Sequence, residues 1–172
     1  MTAALPSASA RPPTLRRRLA SFLYEGMLLF GIAFGAALVY GVATRQQHAL
    51  QGRLGLVLTL FVVIGLYFLW CWTRSGQTLA MQTWRLRLVD ATGQPPRVGR
   101  AAARYLLAWL WFLPAIGLVA ALDWQHDRWR LWGTLAGGVV AYALLALALP
   151  GRQFLHDLLA GTRLVDAPPK RR

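Results

Sequence analysis

Residues 16–45 read RRRLASFLYEGMLLFGIAFGAALVYGVATR. Three arginines lead into an apolar run that is interrupted by a single charged residue, Glu25, and that ends at Arg45. The apolar stretch, residues 19–44, exceeds the ~20 residues that a helix needs to cross ~30 Å of hydrocarbon. Lipid offers no partner to backbone N–H and C=O groups, so such a run must satisfy them within itself as a helix. It is too long for the core of a signal peptide and no convincing cleavage site follows soon after it, so it is expected to stay as the first membrane span.

Working outward, residues 54–73, 104–122 and 131–149 repeat this pattern. The chain therefore reads as an all-α membrane protein with four transmembrane helices. Nineteen Lys and Arg against six acids give a formal charge of +13, which in a soluble chain would point to nucleic acid. Their placement argues otherwise. Four lie before the first span, two in 45–53, six in 74–104, two in 123–130 and five after residue 150. The positive-inside rule then puts both termini and the central connection in the cytoplasm, with the lipid bilayer rather than nucleic acid as the partner. Residues 1–13, small, polar and Pro-containing, read as a disordered tail, 14–167 as the membrane domain and 168–172 as a basic C-terminal tail.

Tryptophans fall where interfacial belts are expected, Trp70 and Trp72 at the inner end of span two and Trp124, Trp129 and Trp132 around the outer connection. Gly31-Ile-Ala-Phe-Gly35 in span one and the Ala/Gly-rich span four offer small-residue faces for helix contact, within the chain or in a homo-oligomer. Cys71 is the single cysteine and reads as a buried apolar thiol, so disulfides within the chain and Cys-based metal clusters are excluded.

The cytoplasmic pieces have patterns of their own. After Gly76 comes a short interfacial helix around Leu79–Trp84, then the alternating run Arg85-Leu-Arg-Leu-Val89, which suggests a strand stopped by Asp90-Ala-Thr-Gly93 and Pro95-Pro96. The C-terminal piece repeats this plan, with a Pro150-Gly151 break, the apolar stretch Phe154–Ala160 and a run to Asp166. Arg-Leu-Val-Asp-Ala occurs twice, at 87–91 and 163–167, each time after a pair of spans that opens at an arginine, Arg18 or Arg104. Two parallel halves and a chance recurrence of common residues both account for this, since the membrane segments show no clear similarity. The two short runs are expected to pair beneath the bundle, because each alone has unpaired edges.

Acids are scarce enough to consider singly. Asp90 and Asp166 suit turns, and Asp123 and Asp127 lie beside Arg128 and Arg130 in the outer connection. Glu25 stands seven residues beyond Arg18, about 10 Å deeper on the same helical face. A carboxylate inside a span costs about 3 kcal/mol on insertion scales, so Glu25 should face the bundle and meet an arginine, Arg18 first, with Arg74 or Arg104 as alternatives. It serves either as a structural ion pair or as a site that binds a cation or titrates. His156-Asp157 near the same face can cap, anchor or titrate. His48, His126 and His156 lie far apart, so no zinc site is expected, and no phosphate loop or nucleophile elbow is present.

Three elements together resemble the RDD family of bacterial membrane proteins, named for an arginine and two aspartates. They are Arg18-Leu-Ala-Ser-Phe-Leu-Tyr-Glu25, Gly76-Gln-Thr-Leu-Ala with the later Arg87-Leu-Val89, and His156-Asp157-Leu-Leu-Ala-Gly-Thr162, and the similarity runs from about Arg16 to Val165. The resemblance implies a bacterial inner-membrane location in a family whose molecular function is not established and to which transport of unidentified ligands is often ascribed. It matches Arg18 to the named arginine, Glu25 to the first aspartate and Asp157 to the second. Two departures stand out, Glu for Asp at 25 and Ala80-Met81 where many members carry Gly-Lys. The resulting expectation is a non-enzymatic protein that needs no cofactor and moves an ion or small solute past Arg18, Glu25 and Asp157 at the inner mouth of the bundle. The competing expectation is an accessory subunit that binds a protein partner or anionic lipid.

Overall fold

The computed structural model describes residues 13–45 and 52–167, so the two tails and His48 lie outside the described residues. Three helices are long and apolar enough to cross a membrane: α1 (Leu15–Ala43), α2 (Arg53–Arg74) and α6 (Arg128–Ala148). A bent pair, α4 (Val98–Ala108) with a 3-10 turn (Trp109–Trp111) followed by α5 (Leu113–Ala121) at an angle of 41°, is together also long and apolar enough, which gives three crossing helices, or four where the pair counts as one broken span. The continuous span expected over 104–122 is corrected on two points. The helix begins earlier, at Val98, and it breaks at Phe112, just before Pro114 in the first turn of α5. Proline has no N–H to donate and its ring collides with the carbonyl four residues back, so a helix bends there.

Burial in α1 is the reverse of that in a water-soluble helix. Its buried residues are Arg18, Ser21 and Glu25, while Met27, Phe30, Phe34 and Val42 are exposed. A polar face turned inward and an apolar face turned outward is what a hydrocarbon solvent selects. Gly31 and Gly35 have open space beside them, so this pair makes no helix contact within the chain. Gly138 of α6 does, against Ala115 of α5, and Gly65 of α2 receives the Tyr105 ring of α4.

The start of α1, the end of α2, the start of α4 and the end of α6 meet at one end of the bundle. Under them lie α3 (Leu79–Thr83), β1 (Leu86–Asp90), α7 (Leu155–Leu159) and β2 (Thr162–Asp166). The strands pair antiparallel, with Leu88 opposite Leu164, Arg87 opposite Val165 and Val89 opposite Arg163. The two copies of Arg-Leu-Val-Asp thus face each other about a local twofold at Leu88 and Leu164, which is the pairing expected from the repeat. Gly76 makes the approach possible: it lies at φ +71°, its carbonyl accepts from Leu88 N–H at 2.7 Å, and a Cβ there would meet the Leu88 carbonyl oxygen at 2.5 Å. Leu86, Leu88 and Leu164 form a core with Trp72, Met81, Ala101 and Tyr105.

That core corrects two expectations. Trp72 is buried rather than interfacial, whereas Trp70, Trp129 and Trp132 remain exposed. The short helix α3 also sinks Ala80 and Met81 into the core, so only part of it lies on the surface. Asp166 is held by long-range contact rather than by its own turn: Arg17 donates to its Oδ1 at 2.7 Å and to the Trp84 carbonyl at 2.6 Å, fastening the head of α1 to the sheet. Asp90 does shape its own turn, its Oδ1 accepting from Thr92 and Gln94, and the Thr92 hydroxyl holds this carboxyl below the usual carboxylate range.

Candidate functional site

The inward face of α1 looks onto a cavity of about 280 Å³ bounded by α2, α4 and the Trp109–Trp111 turn. Phe22, Phe68, Trp109 and Phe112 contribute apolar wall, and Arg18, Ser21, Glu25, Thr78, Arg104 and His156 contribute the polar part. A largely apolar cleft with a few convergent polar groups is the usual form of a small-molecule site.

Glu25 faces the bundle, yet the expected arginine is not its partner. Tyr67 of α2 donates to Oε1 at 2.7 Å and Thr78 donates to Oε2, and no ion pair of Glu25 occurs among the described residues. Hydroxyl donors satisfy a carboxylate without bringing a second charge into low dielectric, so the cost of insertion is offset by hydrogen bonds instead of charge pairing. Thr78 also caps α3, accepting from Met81 N–H at 3.2 Å, which ties the acid to the start of that helix.

Arg18, on the same face, is 4% exposed. Its Nε donates to the Pro13 carbonyl at 3.1 Å and its guanidinium lies 5.1 Å from the Phe154 ring centre. Its Nη1 is buried with no hydrogen-bond partner among the described residues. An unmet donor on a buried charged group costs about 1–3 kcal/mol or more.

Arg104 and Asp157 do pair. Arg104 Nε donates to Asp157 Oδ1 at 2.7 Å, the carboxylate is 0% exposed, and the guanidinium stacks 4.3 Å from the Trp72 ring centre. His156 closes the group. Its backbone N–H donates to the Tyr142 hydroxyl at 3.1 Å, and that hydroxyl lies 3.0 Å from Nδ1, leaving Nε2 3.5 Å from Asp157. The hydroxyl can give its proton to Nδ1 when Nε2 carries the ring proton, or accept from Nδ1 in the other tautomer. Burial lowers the His156 pKa to about 4, so the ring is neutral at physiological pH.

Of the six residues singled out in the sequence, the fold brings Arg18, Glu25, Arg104, His156 and Asp157 together and leaves Arg74 apart. Arg74 is exposed, resting on Trp70 outside the cavity. Tyr67, Thr78, Tyr142 and Phe154 are additions. Thr78 lies within the Gly76-Gln-Thr-Leu element already noted, and Tyr67 is the one tyrosine of span two, so a search for uncharged donors to Glu25 would have reached both. Among the described residues no group of three or more His, Cys, Asp or Glu is placed to hold a metal ion.

A family model described as the RDD family matches residues 12–161. No curated protein and no solved structure matches the chain.

Proposed function

The chain belongs to the RDD family, and from that membership and the cavity we propose that it is a non-enzymatic, multi-pass inner-membrane protein of a bacterium that binds an ion or small solute and moves it across the bilayer. One observation carries this reading: a half-open, largely apolar cavity at one end of the bundle holds Arg18 and Glu25, neither of them in an ion pair among the described residues. In a span, ionisable side chains without structural pairing favour a role toward a ligand. The bent pair α4–α5 supplies the second ingredient, a broken crossing beside the cavity at which the wall can change shape. In this proposal the four crossings place both termini and the sheet in the cytoplasm, as the arginine count favours. The open stripe at Gly31 and Gly35 would serve a homo-oligomer.

The test is uptake of labelled cations and small solutes into proteoliposomes, with Arg18→Gln and Glu25→Gln as controls. Saturable uptake that either variant abolishes supports transport. Uptake equal to that of empty vesicles for every solute favours the second reading, an accessory subunit. That reading draws on the Arg17–Asp166 clamp and the Arg104–Asp157 pair, which lock helices to the sheet and to each other.

A further inference from the structure

Four formal charges gather around the cavity, Arg18 and Arg104 against Glu25 and Asp157, so the group is neutral as a whole. Half of it is paired internally, Arg104 Nε with Asp157 Oδ1 at 2.7 Å, although Asp157 Oδ2 is buried with no hydrogen-bond partner among the described residues. The other half is not. Arg18 keeps a buried Nη1 without a partner, and Glu25 is held by the uncharged hydroxyls of Tyr67 and Thr78. Both line the same cavity from the same face of α1, with Ser21 between them.

This arrangement discriminates among ligands by charge. A simple cation at Glu25 would leave Arg18 unmatched and add net charge to a low-dielectric enclosure, and a simple anion at Arg18 would do the converse. A molecule with one charge of each sign matches both side chains and adds none. The geometry also bounds its length. Residues 18 and 25 are about 10 Å apart along the helix axis and the Arg18 side chain reaches back to the Pro13 carbonyl, so the ligand's own charges must stand several carbons apart. Phe22, Leu29, Phe68 and Phe112 surround that middle section, so it should be apolar. We infer that the cavity accepts a short zwitterion, its cationic end at Glu25, its anionic end at Arg18 and a small apolar body between them.

This assignment rests on reading the cavity as a binding site, but its test does not require transport. The full chain, purified in detergent at neutral pH, is melted with 4-aminobutanoate, 5-aminopentanoate and 6-aminohexanoate, and separately with hexanoate and hexylamine. At least one zwitterion should raise Tm by about 5 °C at a hundredfold excess over its Kd, with little effect from the two single-charge probes. Arg18→Gln and Glu25→Gln should each abolish that shift and Arg18→Lys should retain part of it. If a variant fails to fold, the comparison of probes on the natural chain still decides. Equal stabilisation by hexanoate or by hexylamine overturns the zwitterion in favour of a one-charge site, and no shift with any of the three zwitterions overturns it outright. Binding without flux in proteoliposomes would keep the zwitterion and remove transport, whereas cation flux without zwitterion binding would do the reverse.

Discussion

The two halves of the chain share one plan and differ in the chemistry at its centre. Each runs through long apolar helices, a short helix and a strand, and each ties a buried side chain on its first helix to a polar one on or capping its short helix, 53 residues later. In the second half that tie is an ion pair, Arg104 Nε to Asp157 Oδ1, with Oδ2 buried and without a hydrogen-bond partner among the described residues. In the first it is a carboxylate held by hydroxyls, Glu25 to Thr78 with help from Tyr67. An ion pair uses up both charges, and a hydroxyl uses up neither. The second half is therefore closed in charge, while the first retains an acid, and beside it an arginine, for something that arrives from outside.

If the second half is the closed one, it should be the more costly to open. Asp157→Asn leaves a buried Arg104 without its counter-charge, and the loss of one partner of a buried pair costs about 3–5 kcal/mol. Thermal unfolding in detergent should show this as the largest fall in Tm of any single change at the site. A smaller loss, about 2 kcal/mol, is expected for Thr78→Ala, which removes both a hydrogen bond to Glu25 and the cap of α3. If Thr78→Ala cost as much as Asp157→Asn, the two ties would be equivalent and the contrast would fail.

Acid should act on the closed half through His156. Its folded pKa, about 4, lies below the ordinary histidine value, so the unfolded chain binds the proton first as pH falls. Stability contributed by the neutral ring is complete above about 6.5 and is lost between there and about 4. The slope of Tm against pH in this window should flatten in His156→Gln, and an unchanged slope would place the acid sensitivity elsewhere. The smallest effect is expected for Arg17→Gln. Its pair with Asp166 is exposed on both sides, and such pairs contribute about 0–1 kcal/mol, so Tm should move little although the head of α1 loses its clamp.

How much of this could be read from the residues depended on the range of the interaction. Apolar runs and the arginine count delimit the long helices because length and hydropathy are local properties. The repeated Arg-Leu-Val-Asp pointed to the strand pair because a lone strand needs a partner and one other segment had the same alternation. Pro114 was visible, but its consequence depends on whether neighbours re-satisfy the freed backbone, which is a tertiary matter. For Glu25, charge alone was weighed, so its inward direction was legible and its partners were not. Thr78 stood in the Gly76-Gln-Thr-Leu element and Tyr67 in span two, but only a fold that brings three separate stretches together makes them the partners of Glu25. Asp157 stood out in the resemblance, yet nothing nearby in sequence indicated Arg104 as its partner.

The strand pair has a consequence for how the chain is made. Synthesis runs from the N-terminus at about 5–20 residues per second, so β1 leaves the ribosome on the order of ten seconds before β2 exists to receive it. During that interval Leu86–Asp90 carries an unpaired edge, and the Arg17 contacts, which need Asp166 and the fixed carbonyls of Trp84 and Arg85, are incomplete. The sheet is thus the last latch to close: a chain stopped before Thr162 would have every long helix, and its halves would be joined by contacts such as that of Tyr105 with Phe61 and Gly65 but not by the sheet. Quality control that senses exposed strand edges would then be able to tell finished chains from those cut short.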